Sequence, residues 1–288
     1  MLSEDFSNAA LVLIGHGSTK NADSGVPVFK QAGVLRQRRL FAEVREAFWK
    51  QDPQVERVLP ELNHDRIFLV PFFISDGYFS ENVIPKALGF ELKVDEPFQR
   101  VRRSGRQMVF YCRAVGSHPG MTRLLLSRAD QVIRQFPFPR TPKPKDISLF
   151  IAGHGTEQDS NSRVSVERQL EAIRQQNLYS DVHAVYLEEE PRIASCYETA
   201  RARNIVLVPF FISDGLHVQE DIPSMLGEPE RLVRERLQNG QAPWRNPTEK
   251  RGKLVWCASA VGTDPMMSEV ILERVREAAQ WAACDFHT

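Results

Sequence analysis

A single unit is written twice in this chain. The octapeptide VPFFISDG stands at residues 70–77 and again at 208–215, an offset of 138. The same offset carries His16 onto His154, Ser24 onto Ser162, Val26 onto Val164, Pro53 onto Pro191 and Pro85 onto Pro223. Two copies of one fold are therefore expected, and 288 residues are enough for each to bury its own core. The copies meet in PFPRTPKPKD, residues 137–146, where four prolines in ten residues favour a stiff, extended linker. The division read from this is a first domain at 1–140 and a second at 141–288.

Both copies run through the same patterns. A short apolar run (10–14 in the first) stops at a GHG turn, as a strand buried on both faces does. A helical stretch follows, in which Val28, Ala32 and Leu35 share a face, with Pro27 tolerated in its first turn. DVHAVYL, 181–187, alternates and is rich in β-branched and aromatic residues, which predicts a strand there and at 44–49. Pro53 and Pro191 open helices that run to about His64 and Arg203. Strands at 67–74 and 205–212 lead into the SDG loops. Pro85 and Pro223 then mark short helices, and last strands follow at 108–114 and 254–260. Amphipathic helices at 122–135 and 267–282 close the copies.

Near the end the offset grows from 138 to 146, because Val115 falls on Val261. The eight extra residues, near 239–251, are expected as a surface loop. Strands separated by helices imply parallel βαβ units. The fold class expected is α/β: two tandem duplicated open parallel-sheet domains, mainly four-stranded, with helices on both faces and a cleft between them.

Charge removes several partners from consideration. Lys plus Arg and Asp plus Glu each total 37, so the formal net charge is zero and no global basic field draws nucleic acid or an anionic membrane. MLSEDFSNAA lacks the basic and apolar regions of a signal peptide. The apolar runs fall far short of the roughly 20 residues a membrane helix needs. The expectation is a cytoplasmic protein without nucleic-acid or membrane partners. Cys112, Cys196, Cys257 and Cys284 show no CxxC pairing, so free thiols are expected and no iron–sulfur cluster.

In open parallel sheets the ligand crevice lies beyond the carboxyl ends of the strands, at the topological switch point. His154 ends the first strand of the second copy, Glu188 ends the second strand and His217 follows the third. Two neutral imidazoles and a carboxylate suit a borderline divalent ion such as cobalt, iron, nickel or zinc, with coordination positions left open. The first copy keeps His16, but has Phe79 where the second has His217 and Lys50, Gln51, Asp52 where the second has Glu188, Glu189, Glu190. The full ligand set is confined to the second copy. His16 stands as an extra ligand or proton acceptor.

Together GHGS and GHGT after an apolar strand, YLEEEP after the second strand and DGLHVQEDIP after VPFFIS resemble the class II tetrapyrrole chelatases, of the sirohydrochlorin chelatase type. The resemblance covers both copies. It implies ATP-independent insertion of a divalent metal, cobalt or iron as a substrate, into a metal-free tetrapyrrole held between two chelatase-like domains, in cobalamin or sirohaem synthesis. It implies that His154 and His217 bind the metal and that a glutamate assists. The YLE context places that glutamate at Glu188, with Glu189 and Glu190 open to the same role. Two-copy relatives keep the working set in the first copy, so this chain departs from them.

Sirohydrochlorin-type rings carry many carboxylates, and Arg163 and Arg192, which replace Gly25 and Gln54, are candidates to bind them. A histidine of ordinary pKa, about 6.5, is suited to take the pyrrole protons as metal enters. Two domains suffice for a cleft, so monomer and homodimer both fit. A non-catalytic tetrapyrrole or metal carrier descended from a chelatase is the competing reading, favoured by Phe79. A phosphoryl-transfer enzyme with a GHG histidine as nucleophile fits less well, because no arginine flanks that histidine. His64, His118, His183 and His287 are read as structural or solvent-exposed.

Overall fold

The computed structural model describes residues 5–19, 22–91, 98–155 and 160–284; Thr156 and His287 lie outside them. The chain divides into two compact units, Met1–His118 with Pro265–Thr288, and Pro119–Asp264.

The sheet of the first unit has the order β2-β1-β3-β5-β4, with β1 at Ala9–Gly15, β2 at Glu43–Phe48, β3 at Arg66–Pro71, β4 at Val101–Ser104 and β5 at Gln107–Tyr111. Every residue of β1 is buried, as its unbroken apolar run demands of a central strand covered on both faces. β1 pairs in parallel with β2 and β3, and β3 with β5. Parallel neighbours need crossovers, and α1 (Val26–Arg38), α2 (Val55–Glu61) and α3 (Ile84–Ala87) lie in them.

The second unit repeats the plan in the order β7-β6-β8-β10-β9. Its strands are β6 (Ile147–Gly153), β7 (Asp181–Tyr186), β8 (Asn204–Pro209), β9 (Thr248–Lys250) and β10 (Lys253–Cys257). β6 is wholly buried, like β1.

Each sheet has five strands, one more than the sequence predicts. β4 and β9 add antiparallel edges through two-residue turns, with Ser104 opposite Gln107 and Lys250 opposite Lys253. Their sequences, VRRS and TEK, are short and polar because an edge strand has only one neighbour to satisfy. β9 also falls in the stretch expected as a loop. Just before it, α8 (Glu230–Gln238) is pinned by the buried pair Arg236–Glu228 at 2.8 Å and by Lys250–Glu228 at 2.9 Å.

The closing helices produce the main departure. α4 (Met121–Gln135), which ends the first sequence copy, packs on β8 and β10, beside α5 (Ser160–Gln175). α9 (Met267–Cys284), which ends the second copy, packs on β3, β5 and α1. The repeat at 1–140 and 141–288 and the compact units thus divide the chain differently, because each copy's last helix covers the other copy's sheet. Polar contacts fix both placements. Trp256 Nε1 donates to the Phe136 carbonyl at 2.9 Å and Thr122 Oγ1 to Gln169 Oε1 at 2.6 Å. The buried Arg274 guanidinium donates to the Ala114 carbonyl at 3.0 and 2.9 Å and to Ser117 Oγ at 2.7 Å. The remaining short helices are α6 (Cys196–Thr199) and α7 (Ile222–Met225).

Cys112, Cys196 and Cys257 are free and buried, and burial pushes their thiols up to about 12, which leaves them unreactive at neutral pH. Among the described residues no helix is long and apolar enough to cross a membrane.

Candidate metal centre

Three loops meet at the carboxyl ends of β7, β6 and β8, where the strand order changes direction. This is the switch point at which open α/β sheets bind ligands.

β6 delivers His154. The residue before it, Gly153, has no room for a side chain, since a Cβ there would lie 2.8 Å from Val166 Cγ2 on α5. The residue after it, Gly155, has φ +68°, and its Cβ would stand 2.6 Å from Glu189 Cγ and 2.7 Å from Tyr186 Cβ. A glycine is required for both the left-handed turn and the contact. The GHG turn is therefore pressed onto the end of β7, and the Glu188 amide donates to the His154 carbonyl at 3.1 Å.

The loop after β8 delivers His217, the first residue of a wide turn at His217–Asp221 in which the Ile222 N–H bonds to the His217 carbonyl, five residues back. Pro223, with no N–H, follows that turn directly, and wide turns of this kind recur at functional sites. The SDG loop before it is held by Asp214, whose Oδ1 accepts from the Ala260 amide at 2.6 Å. Asp76 does the same for Ala114 at 2.9 Å. The SDG aspartates are thus structural, as turn chemistry suggests.

The rings of His154 and His217 meet edge to face, centroids 4.9 Å apart and planes at 88°. His217 Nδ1 donates to Asp221 Oδ2 at 2.6 Å. That bond fixes the ring and leaves Nε2 as the lone-pair nitrogen of the neutral imidazole. His154 Nδ1 is buried with no hydrogen-bond partner, and Glu188 Oε1 lies 3.6 Å from it, beyond hydrogen-bonding range. Burial lowers the His154 pKa; Glu188 opposes the shift, and His217 adds to it. In its neutral form, which burial favours, the ring offers one lone pair.

Of the three glutamates only Glu188 approaches a histidine. Glu189 pairs with Arg163 at 3.2 Å, and the Arg163 guanidinium lies over the Tyr186 ring at 5.1 Å. Glu190 accepts from the Arg192 amide at 3.0 Å, and the Arg192 guanidinium donates to the Leu187 carbonyl. Arg163 and Arg192 thus brace the 187–190 turn.

Asp221 escaped the sequence reading as a ligand-orienting group. Its signal was the HxxxD spacing, which on a helical turn sets two side chains on one face. Among the described residues no group of three or more His, Cys, Asp or Glu side chains is gathered to hold a metal. What the geometry offers is a pair of lone-pair imidazoles flanked by carboxylates on both sides.

His64 pairs with Glu43 at 2.9 Å, His183 with Asp181 at 2.7 Å, and His118 lies between Glu273 and Glu277 at 3.5 and 3.2 Å. Each of the three is thus engaged by carboxylates of its own surroundings.

Comparison with known proteins places this chain in a family. The model described as CbiX matches residues 10–132 and again 148–278. A probable sirohydrochlorin cobaltochelatase of Halobacterium salinarum is 35% identical over 279 residues, 93% of this chain and 91% of that protein. A sirohydrochlorin cobaltochelatase of Methanopyrus kandleri is 28% identical over 140 residues, 46% of this chain and 96% of its own length. Among solved structures, a Deinococcus radiodurans protein superposes with a TM-score of 0.74 at 27% identity, over 95% of this chain and 55% of that one. It is described as multi-domain, with structural similarity to chelatases and two additional novel domains. This chain spans about half of its length.

Proposed function

The chain belongs to the CbiX family, and we propose that it inserts a divalent metal, cobalt or ferrous iron, into sirohydrochlorin at the His154–His217 pair. The observation that carries this reading is the orphaned, buried His154 Nδ1 beside a His217 ring held by Asp221. Together they make a two-nitrogen donor set for a metal that must later leave. A closed four-ligand site would keep its ion; two imidazoles leave positions open for pyrrole nitrogens.

His154 and His217 hold the incoming metal. Asp221 keeps the His217 proton on Nδ1, so that Nε2 faces the ion. Glu188 balances metal charge beside His154. As metal passes to the ring, two pyrrole N–H bonds break, the electron pairs stay on nitrogen and become metal–nitrogen bonds, and two protons leave. The freed imidazoles take one proton each: Glu188 relays that of His154 to solvent, and the half-exposed His217 ring passes its own there directly. Val164 and Leu216, exposed at 51% and 59%, supply apolar surface for the flat macrocycle. Arg163 on α5 and Arg192 just after the 187–190 turn are the candidates to meet its carboxylates. No ATP takes part.

The test is the absorbance-monitored rate of cobalt and ferrous insertion into sirohydrochlorin, without ATP, for the wild type, His217→Ala and His16→Ala. Wild type should exceed the uncatalysed rate, His217→Ala should fall by about a hundredfold or more, and His16→Ala should retain most of the activity. Ring binding without added rate under either metal would show a carrier instead.

A further inference from the structure

His217 owes its direction to the bond with Asp221, as ligating histidines owe theirs to an outer partner. His154 Nδ1 has no such partner among the described residues, so the direction of that ring must come from the turn that carries it. The turn is gripped closely. Gly153 lies against Val166 on α5 and the Tyr186 ring, and Gly155 lies against Glu189 and Tyr186 Cβ, at distances that leave no room for a side chain.

The gripping residues are tied together by charge. Arg163 on α5 lies 3.2 Å from Glu189 Oε2 and over the Tyr186 ring at 5.1 Å. The Tyr186 hydroxyl donates to Glu167 Oε1 at 3.0 Å, and Glu167, one turn along α5, stands 4.0 Å from Arg163. Glu189 is largely buried, and its Oε1 has no hydrogen-bond partner among the described residues. A carboxylate so placed depends on the guanidinium to balance its charge. Without Arg163 it would turn out toward water, and Gly155 would lose the side chain it packs against.

The repeat supplies a control. An offset of 138 carries Arg163 onto Gly25, Glu167 onto Phe29, Tyr186 onto Phe48 and Glu189 onto Gln51. None of these four is charged. The first GHG turn rests on Phe48 and Gln51, Phe29 packs on Phe48 with centroids 5.2 Å apart, and Gln51 Oε1 accepts from the Ser18 amide at 3.4 Å. The fold therefore does not require the charged brace. There the His16 ring is held by its own bond, from Nδ1 to the Gly17 carbonyl at 2.9 Å. The brace stands in the copy whose ring lacks such a bond.

We propose, resting on the reading that His154 and His217 hold the metal, that Arg163 is a positioning residue for that site. It balances Glu189, and so keeps the GHG turn and the His154 ring aimed at His217. This duty is distinct from meeting the carboxylates of the macrocycle, because it acts on the metal before any tetrapyrrole is present.

Equilibrium dialysis of the full chain with cobalt alone tests it. His217→Ala should lose about a hundredfold in affinity and Arg163→Met about tenfold. Arg163→Met should keep its circular dichroism and melting temperature, and the visible spectrum of its bound cobalt should change. Adding Glu189→Gln to Arg163→Met should restore most of the loss, since a neutral amide, as at Gln51, needs no balancing charge. If His217→Ala loses affinity while Arg163→Met binds as wild type does, or if the double variant is no better than the single one, the proposal is overturned and the metal-site reading stands. A raised KM for sirohydrochlorin would then make Arg163 a group for ring carboxylates only. Wild-type affinity in His217→Ala overturns the metal-site reading and the proposal with it. Should Arg163→Met not fold, Tyr186→Phe decides, since it copies Phe48. It releases Glu167 to compete for Arg163 and should weaken cobalt binding about threefold; unchanged affinity overturns the proposal.

Discussion

The two strand-end clusters share a geometry and differ in chemistry. His154 meets His217 edge to face at 4.9 Å and 88°, and His16 meets Phe79 at 4.9 Å and 84°. Phe211 stands 6.4 Å from His154, and Phe73 stands 6.4 Å from His16. Around this common frame the second unit has Glu188 and Asp221, whereas the first has Lys50, 5.5 Å above the Phe79 ring, and Val83. His16 Nδ1 also lies 2.9 Å from the Gly17 carbonyl, where His154 Nδ1 has no partner. Backbone and aromatic packing therefore fix the ring-to-ring geometry whatever the ring is. On the proposed reading, ligand capacity rests on three side chains that the frame tolerates in either form.

The strongest test of that statement rebuilds the lost site. Phe79→His, Lys50→Glu and Val83→Asp together, in a His217→Ala background, should restore cobalt binding, with affinity about a hundredfold above that of the His217→Ala protein alone. Equilibrium dialysis reads it, and failure of the folded triple variant to bind would mean that the frame differs in more than these side chains.

A smaller effect is expected for Asp221→Val, which copies the first unit's residue. Losing the ring-orienting bond should weaken cobalt binding about tenfold, with the melting temperature nearly unchanged because the pair is exposed.

The smallest effect is electrostatic. Burial lowers the His16 pKa; the Gly17 carbonyl opposes this and Lys50 adds to the lowering. Lys50→Glu inverts the last contribution, so the His16 titration followed by NMR should move up. His154 should titrate below the ordinary imidazole value of about 6.5. As its folded pKa is the depressed one, the unfolded chain binds more protons in that range. Its contribution to stability is complete above about 6.5 and is lost as pH falls through the folded value.

Much of this was legible in the sequence. The short apolar run at 10–14 that became β1 and the alternating DVHAVYL that became β7 gave strands within a residue or two, because buried strands are drawn mainly from apolar and β-branched residues. The positions of His154, Glu188 and His217 followed from strand ends and the repeat. The edge strands β4 and β9 did not, since VRRS and TEK carry no apolar period. Nor did the exchange of α4 and α9, because an amphipathic stripe states that a face is covered and not by which sheet. Asp221 was hidden by its ordinary place in a DIP motif, and only the bond to His217 gives it a role.

The helix exchange has a consequence for how this chain changes over time. A half cut at the repeat boundary would carry a helix fitted to the other half's sheet and leave its own sheet bare, so neither copy is a heritable unit of folding by itself. Selection for metal chemistry in the second copy is then also selection on the scaffold of the first. A copy that lacks the second histidine would still be kept folded by its neighbour's usefulness.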